Sequence, residues 1–195
     1  MKKISKILAA NRSEIAIRIF RAAEESGIKT AAIYSKEDRF AIHRFKTDES
    51  YLVGEGKGPI QAYLDIDSII KIAKDAKVDA IHPGYGFLSE SPELAEQCEK
   101  NDITFIGPSK EILKRFGNKT EAKKVAEEAK VGTVPSVLVT KENLKSVEKE
   151  VEKIGYPVIV KASWGGGGRG MRVVRSSNEL IAVSYTHLTL PTTHD

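Results

Sequence analysis

The sequence predicts an α/β fold in two parts, and three observations carry that expectation. Short apolar runs at residues 4–10, 30–34, 78–81 and 104–106 alternate with stretches whose apolar residues recur at helical spacing. Strands joined through helices pair in parallel, so this half reads as a parallel-sheet domain of Rossmann-like topology over residues 1–112. After Gly107-Pro108 the texture changes to charged helical stretches, which opens a second part over residues 113–183. Third, four consecutive glycines, Gly165 to Gly168, stand between two β-branched runs rather than ahead of a helix.

Residues 4–10 form the first strand and end at Asn11, placed to cap a helix that has Glu14 in its first turn. Ile15, Ile19, Ala22 and Ala23 make that helix's apolar face, and Gly27 stops it. The second strand, 30–34, completes a β-α-β unit. Residues 35–49 are polar, with a short helix at 39–45, before a strand at 50–53 and a turn-rich loop at 54–59. A helix over 63–76 follows, with Ile66, Ile69, Ile70 and Ala73 on one side. Strand 78–81 runs into the loop HPGYGFLSE, then a helix at 91–101 with Pro92 at its first position, then strand 104–106.

The second part reads as helices at 109–116 and 119–130, the latter charged enough for a surface position. A strand at 134–139 and an amphipathic helix marked by Leu144, Val147, Val151 and Ile154 come next. Strand 158–161, the glycine run and strand 171–174 follow, and a helix starts at 178–183. Residues 184–195, SYTHLTLPTTHD, contain four threonines and two of the four histidines, and they read as a non-native tail.

Composition narrows the function. The formal charge of +4 comes from 31 basic and 27 acidic residues spread along the chain, and no basic tract carries clustered aromatics, so nucleic acid is not indicated. No apolar stretch approaches a membrane span, and the five-residue apolar run near the N-terminus is too short for a signal peptide, so the expected compartment is the cytoplasm. Cys98, the one cysteine, excludes an intrachain disulfide; its helical surroundings read as packing.

Two stretches carry chemistry. In HPGYGFLSE, Pro83, Gly84 and Gly86 fix an irregular path at a strand's carboxyl end, where ligands of open α/β sheets gather. A plain strand-to-helix connection fits those residues equally well, and His82 reads as a hydrogen-bonded structural histidine. In KASWGGGGRGMR, Gly165, Gly167 and Gly170 satisfy G-x-G-x-x-G formally, but Met171 to Val174 is strand-like where a dinucleotide motif would open a helix. No Gly-Lys-Ser/Thr ends the run, so it is not a Walker loop either. A strand–glycine loop–strand hairpin can close over a polyphosphate and offer amide donors to its oxygens. Lys161 ends the preceding strand within reach of the same phosphates. Arg169 and Arg172 either join it or point to solvent.

AANRSEIAIRIFRA, HPGYGFLSE, FIGPSKEILKRFGNK and KASWGGGGRGMRVV, in that order, resemble the biotin carboxylase domain of biotin-dependent carboxylases across about residues 3–180. HRFKTDESYLVGEGKGPIQAYLDI is similar to the pyruvate carboxylase branch more than to the acetyl-CoA carboxylase branch. The resemblance implies an ATP-grasp ligase in which Lys119 and Lys161 contact ATP phosphates. Gly165, Gly166, Gly167 and Gly168 would form a mobile lid, Met171 would lie by the adenine, and Gly84 and Tyr85 would face biotin. Trp164 occupies a position that is often small in the family.

The chemistry so implied is attack of bicarbonate on MgATP to give carboxyphosphate, then transfer of CO2 to a biotin nitrogen. Implied partners are a biotin carboxyl carrier domain, bicarbonate and a carboxyltransferase component, in a full-length homo-oligomer. The family's metal-binding glutamates, bicarbonate-binding residues and base lie beyond residue 195, so no catalytic residue or Mg2+ ligand is expected here and the chain alone should be inactive. Two enzyme alternatives stand beside this: the biotin carboxylase of an acyl-CoA carboxylase, and the large subunit of carbamoyl phosphate synthetase. The non-enzyme alternative is a nucleotide-binding or assembly module.

Overall fold

A computed structural model describes residues 3–140, 143–161 and 171–189, and the chain divides into two compact units, Met1–Lys114 and Arg115–Asp195. The first unit is a five-stranded sheet. Its strands are β1 (Lys6–Ala9), β2 (Lys29–Tyr34), β3 (Glu49–Leu52), β4 (Ala80–His82) and β5 (Thr104–Phe105), in the order β3-β2-β1-β4-β5. All four pairings are parallel, as alternation of strands and helices predicts.

The central strands β1, β2 and β4 are buried on both faces, which explains why they read as continuous apolar runs. Leu8, Ile33 and Ile81 point to one side and pack with Ile69 and Ile70 of α2 (Ile66–Asp75) and with Leu94 and Cys98 of α3 (Pro92–Lys100). Ala9 and Ala32 point to the other side, against Ala16 and Phe20 of α1 (Ser13–Glu25). The small strand residues there leave room for the phenyl ring.

Polar clamps hold the register at the sheet's amino end. The Asp48 carboxylate accepts from Thr30 N at 2.7 Å, Asp79 accepts from Ser5 N at 2.8 Å, and Lys6 Nζ bonds Glu49 at 2.6 Å. These pairs join β1, β2, β3 and the entry to β4, so a slipped strand would lose charged hydrogen bonds as well as packing.

The starts of α1 and α2 differ from those the sequence predicts. Arg12, not Asn11, is the N-cap of α1, and it makes no side-chain capping bond. Asn11 is fully buried and spends its amide on the β4–α3 loop instead. The face of α1 is also rotated: Ala16, Phe20 and Ala23 are buried whereas Ala22 is exposed. Ser91 and Asp65 cap α3 and α2 through their side chains, and Pro92 takes the first position of α3. Tyr63, read as the first residue of a helix, lies in a preceding 3-10 turn, Gln61–Leu64. Two further 3-10 turns, Glu37–Phe40 and Ile42–Phe45, occupy the span read as one short helix.

The chain passes through α4 (Lys110–Gly117) into the second unit, where Asn118 caps α5 (Lys119–Glu128) by accepting from Thr120 N and Glu121 N. No residue of α5 is buried, in keeping with its charged sequence. α6 (Leu144–Ile154), the antiparallel pair β6 (Val158–Lys161) and β7 (Met171–Val174), and α7 (Ser177–Thr189) complete it. Val147, Val151, Val174 and Leu180 form its small core.

The strand predicted at 134–139 is absent: that span has no regular structure. Its alternation is real, since Val137 and Val139 pack on the core while Val134 and Leu138 are exposed, but among the described residues no strand pairs with it. α7 also runs on past Val183, beyond the span the sequence reading gave it.

Candidate functional site

Two places gather the candidate residues, one in each unit. In the first unit the winding reverses at β1, which has β2 on one side and β4 on the other. Ligands of open parallel sheets bind outside the carboxyl ends of the strands flanking such a point. Ala9 is in register with His82 there, and Ala10 N donates to His82 O at 2.9 Å, so the β4–α3 loop leaves directly beside Asn11 and Arg12.

The loop's backbone is unusual. Gly84, Gly86 and Phe87 have φ of 67, 72 and 38°, in the left-handed region. Gly84 N donates to His82 Nδ1 at 3.0 Å, so the neutral ring carries its proton on Nε2, and burial lowers the pKa of His82 in support of that form. Tyr85 is 67% exposed, the most open aromatic of this loop, while Leu88 is buried.

Around the loop lies a cluster assembled from four separate connections. Arg12 Nη1 and Tyr63 Oη both donate to Asp38 Oδ2, at 3.0 and 2.7 Å. The Tyr63 and Phe87 rings stack at 5.1 Å, and the Arg12 guanidinium lies 5.7 and 5.8 Å from their centroids. Burial pushes the Asp38 carboxyl up, yet the hydrogen bonds from Tyr63 and Arg12, with the Arg12 charge, outweigh it and hold the group below its usual range. The same burial, and the bond to Asp38, push the Tyr63 phenol well above the usual tyrosine range. The cluster is therefore a fixed ion pair with an aromatic floor. Of its members the sequence reading singled out none.

In the second unit the hairpin register is the informative feature. Val158 pairs with Val174, Ile159 with Val173, Val160 with Arg172 and Lys161 with Met171. Opposed residues of an antiparallel pair share a face. One face carries Val158, Val160 and Val174 into the core. The other presents Ile159, Val173, Lys161 and Met171. Lys161 and Met171 are thus directly opposite at the end where the chain enters and leaves residues 162–170.

That face offers a cation beside an apolar surface, the pair of properties a nucleotide's phosphates and base require. Lys119 begins α5 in the same unit. Gly165 to Gly168, with Arg169 and Trp164, lie outside the described residues. Among the described residues no group of three or more His, Cys, Asp or Glu side chains could hold a metal, and no helix is long and apolar enough to cross a membrane.

Comparison with known proteins decides between the readings. The profile described as biotin carboxylase, N-terminal domain, matches residues 3–113, more than half of the 195. The chain belongs to the biotin carboxylase family. Residues 118–193 match a second profile, the carbamoyl-phosphate synthase L chain ATP binding domain, which falls in the second unit.

Pyruvate carboxylase of Bacillus subtilis is 58% identical over 179 residues, 92% of this chain and 16% of the relative. The chain therefore spans about a sixth of the length of such relatives. A Rhizobium etli pyruvate carboxylase structure with acetyl coenzyme A superposes with a TM-score of 0.82 at 55% identity, over 92% of this chain and 16% of that one. The biotin carboxylase domain of Hydrogenobacter thermophilus 2-oxoglutarate carboxylase, in complex with MgADP, ADP and bicarbonate, gives 0.86 at 40% identity, over 96% of this chain and 42% of that one. The α/β architecture and the ATP-grasp relationship are those of biotin carboxylases.

Proposed function

We propose that this chain is the N-terminal part of a biotin carboxylase that carboxylates biotin with bicarbonate and ATP, through carboxyphosphate, within a pyruvate carboxylase. The observation that carries the proposal is the β6–β7 register, which sets Lys161 against Met171 on one face at the mouth of the glycine segment. In that role Lys161 and Lys119 neutralise phosphate charge, Met171 packs by the adenine, and the glycines 165–168 close as a lid with their amides toward the phosphates. ATP supplies the phosphoryl group that activates bicarbonate. Phosphoryl transfer needs positioning and charge neutralisation above all, and a closed lid keeps water from the intermediate.

Gly84 and Tyr85 lie on the biotin side, at the switch point of the first domain. Residues 1–112 form that domain, 113–183 begin the ATP-grasp subdomain, and 184–195 are a foreign tail. Mg2+ ligands, bicarbonate ligands and the base come from sequence outside this chain, which leaves the chain inactive by itself. The complete enzyme works in the cytoplasm as a homo-oligomer with a biotin carboxyl carrier domain and a carboxyltransferase component. Pyruvate carboxylase identity of 58% favours this branch over acyl-CoA carboxylases.

The test is ATP cleavage dependent on both bicarbonate and biotin, measured on a full-length carboxylase carrying residues 3–180 of this sequence and on the 195-residue chain. The former has the activity and loses it with Lys161→Ala; the latter lacks it. Activity in the chain alone, or full activity in the variant, refutes the assignment.

A further inference from the structure

Asn11 follows β1 with no exposed surface, and its side chain makes three hydrogen bonds. Nδ2 donates to Pro83 O at 2.8 Å and to Tyr85 O at 3.0 Å, while Oδ1 accepts from Arg12 N at 2.9 Å. The two carbonyls flank Gly84, so one amide group grips the loop on either side of its left-handed residue. The fit is close: a Cβ on Gly84 would stand 2.8 Å from Asn11 Nδ2. Next in sequence, Arg12 lies over the stacked Tyr63 and Phe87 rings and is itself held by Asp38. Phe87 belongs to the same loop, three residues past Gly84.

Consecutive residues of one strand end thus hold the loop at two points, one by backbone hydrogen bonds and one by a ring. Left-handed φ at Phe87, a non-glycine residue, is a conformation the loop keeps only while its surroundings impose it, whereas Gly84 and Gly86 adopt theirs without strain. A capping role for Asn11 would need its oxygen on an amide further into the helix, at the second or third helical position. Instead the oxygen bonds the next residue's amide and the nitrogen faces β4. The first turn of α1 forgoes a side-chain cap as a result.

We infer that Asn11 and Arg12 are positioning residues for biotin: they fix the loop so that exposed Tyr85 and the Gly84 backbone are presented in one orientation. This rests on the proposal that Gly84 and Tyr85 face biotin. Neither residue touches the reacting atoms. Their effect reaches the substrate through Tyr85.

The experiment measures steady-state KM for free biotin and for ATP in a full-length carboxylase carrying residues 3–180, with Asn11→Asp, Arg12→Gln and Tyr85→Ala. Asn11→Asp keeps the shape but turns two donors into an acceptor facing two carbonyls. Arg12→Gln alters a partly exposed side chain and so serves should the first variant fold poorly. Hydrogen exchange of residues 83–88 in the 195-residue chain reports whether the loop has been released. The expected result is a rise of at least tenfold in KM for biotin in all three, less than twofold in KM for ATP, and faster exchange of 83–88 in the Asn11 and Arg12 variants. A merely structural residue would move both KM values together or neither. If Tyr85→Ala raises KM for biotin and the other two do not, the inference is overturned and the site assignment stands. If Tyr85→Ala leaves it unchanged, the site assignment falls and the inference with it.

Discussion

Replacing Gly84 by alanine tests the switch-point geometry most sharply, because two separate costs meet there. The residue has φ of +67°, and an alanine held in that region costs about 1–2 kcal/mol. Its Cβ would also stand 2.5 Å from Ile15 Cγ2 and 2.8 Å from Asn11 Nδ2. Neither neighbour can swing aside freely, since Asn11 is pinned by three hydrogen bonds and Ile15 lies in α1. Overpacking of that kind adds about 1–3 kcal/mol, for a total of about 2–5 kcal/mol.

Gly86 is the internal control. Its φ is +72°, but a Cβ there meets nothing within 4 Å, so Gly86→Ala should cost only the backbone share, about 1–2 kcal/mol. The assay is urea denaturation of the 195-residue chain read by hydrogen exchange in peptides from β1 and β4, which isolates the first unit. Equal destabilisation by the two substitutions would refute the close approach of Asn11 and Ile15 to the loop.

Three further outcomes concern buried and half-buried groups of the first unit. Asp38→Asn removes the ion pair with Arg12. The Asp38 carboxyl titrates below its ordinary value, so its contribution is present above the unfolded pKa near 3.8 and lost as pH falls through the folded value; the variant's urea midpoint should drop near pH 7 and converge on the wild type in strong acid. His43 is fully buried with Nε2–H donating to Ile33 O at 3.1 Å, and burial lowers its pKa, so the unfolded chain binds the extra proton. Stability of the first unit should therefore decline as pH falls below about 6.5, with His82 adding in the same direction, and a flat profile from pH 7 to 5 would contradict this. Burial pushes the Cys98 thiol up to about 12, so it should react with iodoacetamide at pH 8 slower than a free thiol by on the order of 100-fold or more until urea unfolds the domain.

The sheet was legible in the sequence because burial on both faces writes itself as short runs such as KILA and KTAAIY. Helix α2 was legible for the complementary reason: Ile69, Ile70 and Ala73 recur at helical spacing and are its buried residues. Residues 134–139 misled because alternation records which side chains face a core, not whether a neighbouring strand exists. Asn11 misled because a capping residue and a loop-gripping residue have the same composition; the choice depends on the loop from 82 to 90 lying alongside.

At the candidate sites the limits were similar. Lys161 and Met171 were singled out from sequence, but only the register places them opposite one another. The cluster of Arg12, Asp38, Tyr63 and Phe87 has no spacing to detect, since each comes from a different connection. One signal was available: Arg12, Asp38 and Phe87 each follow soon after a predicted parallel strand, and those carboxyl ends converge on the switch point.

The central claim is that the outer face of the β6–β7 hairpin, with the glycine segment it carries, takes the phosphates of ATP. Amide chemical-shift titration of the 195-residue chain with ATP tests it directly and tolerates weak affinity. The account predicts shifts concentrated at Lys161, Met171 and residues 162–170, reduced at least tenfold in apparent affinity by Lys161→Ala. Shifts located elsewhere, or an unchanged titration in Lys161→Ala, would contradict it.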